Sequence, residues 1–269
     1  MKKYILLLAI TLVSVHTWAQ ENRTKTLINA ALHGWEYELK AGFNIGGTLP
    51  LPFPEEIRNI KSYNPTLSIT IEGNMTKWLG EQKRWGVVTG LRLENKGMRT
   101  KAEVKNYGME IIGEDGNRLK GNWTGGVRTK VQNSYLTIPI LAAYKLNQRV
   151  NLKAGAYFSY LMDGDFSGHV YEGYLRKDDP TGEKVNFNNG AIASYDFSSD
   201  LRNFQWGAQL GVDWKAFKHL KVYADLNWGM NDIFNKDFKT ITFDMYAVYL
   251  NVGFGLSLIH ISEPTRHAQ

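Results

Sequence analysis

Cysteine is absent from the chain. This excludes disulfides, thiolate metal ligation and a lipid-anchoring cysteine after a leader. It says nothing about redox compartment, because a chain of 269 residues can bury a core that needs no staple. Proline is scarce, at 7 residues. Beyond residue 20 no run reaches the roughly eighteen apolar residues that a membrane-spanning helix requires. Basic runs interleaved with aromatics are also missing. The net charge of +6 comes from scattered Lys and Arg partly offset by acids, which excludes nucleic acid as a partner. There is no phosphate loop and no nucleophile elbow, and nothing implies a cofactor. What is abundant is glycine, at 26 residues, with 13% aromatics, a mix that suits strands and turns.

The two ends stand apart from the rest. MKKYILLLAITLVSVHTWAQ, residues 1–20, carries Lys2 and Lys3 before an apolar run and then Ala19-Gln20. It reads as a secretory signal peptide cut after Gln20. Residues 21–35 read as a polar periplasmic lead-in, and 36–255 as one β-domain. The tail LSLIHISEPTRHAQ, residues 256–269, resembles a translated transposase-type sequencing adapter, matching residue for residue from Leu256 to Arg266. It is read as non-native, so His260 and His267 carry no functional meaning.

Between the ends, eight segments alternate with period two. They are YELKAGFNIGG, TLSITIEGNMTKW, RWGVVTGLRLE, YLTIPILAAYKL, RVNLKAGAYFSYLM, NFQWGAQLGVDW, LKVYADLNWGM and DMYAVYLNVGFG. Pro139 lacks a ladder donor and predicts a bulge or local break. The connections alternate long and short. Asn95 to Lys130 and Asp163 to Arg202 read as long loops, while LGEQK, LNQR and KAFKH are tight. In an antiparallel meander this puts every long loop at one end, as in outer-membrane barrels.

The polar faces carry charges deep within the segments: Glu38, Lys40, Glu72, Arg92, Glu94, Lys153, Asp213 and Asp225. An unpaired charge in an apolar core is very costly, so these are assigned to a polar lumen as a charge network. The apolar faces carry aromatics towards the segment ends: Trp85, Tyr144 and Trp214 near short turns, and Phe43, Phe158, Tyr160, Trp206 and Trp228 towards long loops. These predict two aromatic girdles in lipid. The expected fold is an all-β, eight-stranded, antiparallel up-and-down transmembrane barrel. A soluble lipocalin-like barrel with its apolar face inside is the competing architecture.

Four stretches, LKAGFNIGG, YLTIPILAAYKL, NLKAGAYFSYLM and LKVYADLNWGMNDI, carry a resemblance to the Gram-negative outer-membrane β-barrel family that includes PorT-like and "porin family" proteins. The resemblance spans nearly the whole chain after the leader. It implies residence in outer-membrane lipid, delivery by the barrel-insertion machinery, and a role in secretion or surface assembly with an envelope or surface protein partner. Barrels of this kind usually end in an aromatic residue, for which Phe254 is the candidate.

An eight-stranded lumen is filled by side chains. The functional expectation is therefore a plugged, non-enzymatic barrel that acts through its loops, where Tyr107, Trp123, Tyr171 and Tyr174 are placed to meet a partner. A small passive diffusion porin is the alternative. A loop hydrolase built on Asp163, Asp165, Ser167 and His169 of MDGDFSGH is a third, set against a plain turn-rich loop. The same acids could hold calcium, against the same plain turn-rich loop; no catalytic, cofactor or metal residue is assigned.

Overall fold

The computed structural model describes residues 35–112 and 118–258. The leader, most of the lead-in and the tail beyond Leu258 lie outside the described residues. Ten strands form one sheet. They are β1 (Trp35–Pro50), β2 (Ile57–Pro65), β3 (Ser68–Leu79), β4 (Trp85–Ile112), β5 (Arg118–Lys145), β6 (Val150–Lys177), β7 (Lys184–Asp196), β8 (Phe204–Lys215), β9 (Leu220–Gly229) and β10 (Met245–Ser257). Ten is two more than the eight segments read from the sequence. Eight of them close a circuit, β1-β3-β4-β5-β6-β8-β9-β10, sealed by β10 against β1 and by β4 against β5. The other two, β2 and β7, flank the upper halves of β4 and β6.

The alternation decides which face is oil. On β9, Tyr223, Asp225 and Asn227 are buried while Leu226 and Trp228 are exposed. On β4, Val87, Leu91 and Leu93 are exposed while Arg92 and Glu94 are buried. The apolar face points outward all round the circuit, the arrangement of a membrane barrel and the reverse of a lipocalin. Three tight turns, at 80–84, 146–149 and 216–219, lie at one end. β1 and β10 meet there as well, with Lys40 opposite Gly255 and Ala41 opposite Phe254.

At the other end the stretches read as long loops prove to be strand. β4, β5 and β6 are each 28 residues long, more than twice the 9–11 residues of a bilayer crossing. Above the membrane band they keep their period but reverse their polarity. On β5 the inward positions run Ala143, Leu141, Thr137 and Tyr135, and then Val131, Val127 and Trp123. The outward ones change from Ile140, Ile138 and Leu136 to Gln132, Lys130 and Arg128. The upper segment behaves as a soluble sheet, oil within. Its core holds Met109, Ile111, Trp123, Val170, Leu175 and Phe187, joined by Phe234 and Ile241 from the β9–β10 connection and by Tyr249 of β10. The result is a packed β-cap standing on the barrel.

Two local irregularities mark the change. A bulge opens in β6 where Ser134 pairs with Asp163 but Tyr135 pairs with Leu161, leaving Met162 unpaired. At Pro139 there is no bulge. The β4–β5 pairing passes from Thr89–Ile140 to Arg92–Thr137 without the two pairs at Pro139 and Ile138, and towards β6 Pro139 stays in register with Tyr157. The missing donor therefore interrupts the β4 ladder and leaves the β6 ladder in register.

Candidate functional site

Two constellations stand out, one inside the barrel and one on the cap. The inner one contains all eight lumen residues named from the sequence, each 6% exposed or less. The Arg92 Nε donates to Glu72 from the neighbouring strand β3. Its Nη1 donates to Asn227 Oδ1 at 3.2 Å and its Nη2 to Gln209 Oε1 at 3.1 Å, so one guanidinium ties β4 to β9 and β8 across the lumen. Lys153 bridges Asp213 at 2.7 Å and Asp225 at 2.9 Å, and Lys40 approaches the same two acids at 3.4 and 3.8 Å. Glu94 accepts from Lys96 at 3.0 Å, from Thr137 at 2.8 Å and from Asn44 at 3.2 Å. At the short-turn end Lys221 reaches Glu36 at 2.7 Å and Glu38 at 3.1 Å.

Glu36, Lys96 and Lys221 belong to this set and were not named from the sequence. The signal was present: Lys96 keeps the parity of Arg92 and Glu94, and Lys221 that of Tyr223 and Asp225. Lys96 ends the series beneath the rings of Tyr135, Tyr157 and Tyr249, at 5.2, 5.2 and 5.8 Å. It sits where the polar lumen gives way to the apolar cap, and the ring faces hold its ammonium.

Of the aromatics assigned to lipid, Trp85, Phe158, Tyr160, Trp206, Trp214 and Trp228 are exposed on the outer face. Tyr144 is half-buried against Trp85, ring centroids 4.7 Å apart. Phe43 is exposed midway along β1 and not at its loop end.

The outer constellation lies on the outward face of the cap. Two register rows cross five strands, β2, β4, β5, β6 and β7 in turn. One row reads Ser62, Lys101, Arg128, His169 and Ser194; the other reads Asn64, Arg99, Lys130, Ser167 and Asp196. All ten line one groove of about 990 Å³. Lys101 sits directly opposite Arg128, and Arg99 opposite Lys130. Like charges placed opposite one another destabilise a sheet. Lys130 is paired with Asp165, which also accepts from Ser167. Arg128 lies over the Tyr171 ring at 5.2 Å. Among the described residues Arg99, Lys101 and Arg128 make no salt bridge. Burial depresses the His169 pKa, and the charges of Arg128 and Lys101 depress it further.

The MDGDFSGH stretch therefore serves the groove. Asp165 faces Lys130, and His169 faces cations and no acid. A charge-relay pair between them is not formed. Trp123, read as a loop contact, is fully buried and stacks edge-on against Phe187 at 5.5 Å. Tyr107 packs against Phe243, ring centroids 5.6 Å apart. Tyr171 and Tyr174 remain half-exposed under Arg and Lys side chains.

An eight-stave circuit with lipid-facing apolar residues and a charged interior defines the class, an outer-membrane β-barrel. The chain belongs to the outer membrane protein β-barrel domain family, whose model matches residues 18–235, and its place is the outer membrane of a Gram-negative bacterium. No curated protein matches it in sequence. Among solved structures it is similar to Ail, the attachment invasion locus protein of Yersinia pestis, in complex with the heparin analogue sucrose octasulfate, at 9% identity over 83% of this chain and 98% of that one, TM-score 0.37. It is also similar to OprG of Pseudomonas aeruginosa, at 10% identity over 82% and 95%, TM-score 0.29. The outer membrane protease OmpT of Escherichia coli is a third, at 10% identity over 83% and 96%, TM-score 0.29.

Proposed function

We propose that this protein is a non-conducting, non-catalytic barrel that anchors its β-cap on the outer face of the cell, where the cap serves surface binding or envelope assembly. The observation that carries the reading is the lumen. Five basic side chains, Lys40, Arg92, Lys96, Lys153 and Lys221, are bound to six carboxylates, Glu36, Glu38, Glu72, Glu94, Asp213 and Asp225. They span the barrel from the short turns to the base of the cap. An ion crossing it would have to part buried, mutually paired charges, a large barrier in a low-dielectric interior. Above them the apolar core of the cap adds a second seal.

The position of the cap supports the rest. It is built from strands that continue without interruption out of the membrane, so whatever it binds is held close to the bilayer. The test is single-channel recording of the folded chain in a planar bilayer. A silent bilayer with the folded barrel verified supports the reading. Stable current steps overturn it in favour of a diffusion porin, with Arg92, Lys153 and Asp225 as selectivity residues.

A further inference from the structure

We infer that the groove on the outward face of the cap binds a glycan bearing closely spaced phosphate groups. The inference deepens the reading above, in which the cap is the working surface, by naming what that surface holds.

The outward face of the cap carries a cost that folding alone does not explain. Arg99 opposes Lys130 and Lys101 opposes Arg128 in the ladder, and His169 extends the second row. Opposed residues lie about 5 Å apart, and residues two apart along a strand about 7 Å. Four permanent cations therefore share a patch about 7 Å across. Two carboxylates border it: Asp165, paired with Lys130, and Asp196 at the β7 end of the Arg99–Lys130 row, which accepts from Ser198, so the cations still outnumber the acids. A sheet that only needed a solvated outer face would alternate its signs here. An anion seated between the rows would relieve the repulsion, and two or more phosphates on one ligand match the two rows.

The remaining lining fits a sugar. Ser62, Asn64, Ser167 and Ser194 occupy the ends and flanks of the same rows and offer short hydroxyl and amide groups. The height above the membrane excludes an ordinary phospholipid headgroup. The last outward apolar residues on these strands are Leu93, Leu136 and, just beyond Tyr160, Met162. The nearer basic row is six residues further along β4, about 20 Å of strand and about 15 Å of height at a barrel's tilt. A headgroup layer is only about 5–8 Å deep. The anion must therefore be carried on saccharide that stands off the bilayer, either as part of an outer-leaflet glycolipid or free in solution.

The experiment titrates the folded chain in detergent with inositol hexakisphosphate, and with unphosphorylated inositol as control. Binding of the first only is expected, with the His169 ring resonances moving as its proton affinity rises beside the phosphates. K101Q/R128Q is expected to weaken binding at least tenfold, and R99Q/K130Q likewise. K101Q/R128Q removes repulsion, and R99Q/K130Q removes repulsion together with the half-exposed Lys130–Asp165 pair, which contributes little to stability; heat-modifiable migration on a gel checks that both variants fold. K61Q, outside the rows, should bind as the parent does. Competition by lipopolysaccharide, lost on its dephosphorylation, would name the leaflet glycolipid as the source; no competition would name a soluble glycan. Equal affinity in the parent and both double variants, or equal binding of inositol, overturns the inference. A separate measurement guards the reading beneath it. The chain has no cysteine, so K101C is a unique thiol. If a membrane-impermeant maleimide fails to label it on intact cells, the outward placement of the cap falls, whatever the binding result.

Discussion

At the scale of single residues, the lumen is a set of mutual obligations. Arg92 satisfies Glu72, Asn227 and Gln209 together. Arg92→Ala strands a buried carboxylate and two amides, and should cost about 3–5 kcal/mol; the shift in urea midpoint for loss of heat-modifiable migration measures it. Arg92→Met with Glu72→Gln removes the charge from both sides and should recover most of that loss. His169 gives a pH signature. Its folded pKa lies below the unfolded value of about 6.5. Between those values the unfolded chain binds more proton, so stability rises with pH there and is lost as pH falls below about 6.5. The charged groups facing it are Arg128 on β5 and Lys101 on β4. The urea midpoint of the cap should fall between pH 7.5 and 5.5 in the parent, and His169→Gln should flatten that slope. Gly42 shows how tightly the lumen wall is drawn: a Cβ there would meet the Tyr223 hydroxyl and the Val252 carbonyl oxygen, each at 2.4 Å.

At the scale of elements, the membrane-crossing halves of the strands were readable, and the cap was not. Leu39, Ala41, Phe43 and Ile45 against Glu38, Lys40 and Asn44 leave no doubt about period or phase. The charges caught within those runs were legible for the same reason: Arg92 and Lys153 interrupt a polar face, never the oily one. Above the band the phase reverses, and a reader following the oily face loses it. The inward side of β5 there is Val131, Val127 and Trp123, with Gly125 and Gly121 diluting it, while the outward side fills with Arg and Lys. Charge and glycine together imitate a loop. β2 and β7 were hidden for another reason, since their partners lie in those same unrecognised stretches. The cap has its own core, so it should fail by itself. Trp123→Ala should cost about 3–5 kcal/mol there. Limited proteolysis should then cut the β4–β5 hairpin and leave a protected barrel fragment.

At the scale of the whole molecule, one chain is built for two solvents, with its outer face apolar in lipid and polar above it, and its interior the converse. This has a consequence for the order of assembly. A lumen crowded with paired side chains leaves no passage for polypeptide, and a folded cap is wider still. On the orientation proposed here, the β4–β5 hairpin and the β6–β7 segment must reach the cell surface while the ring is open. The strands nearest the two ends of the chain, β1 and β10, make one junction of that ring. Their zipping together would then be the late event, a door that shuts only after its cargo has passed.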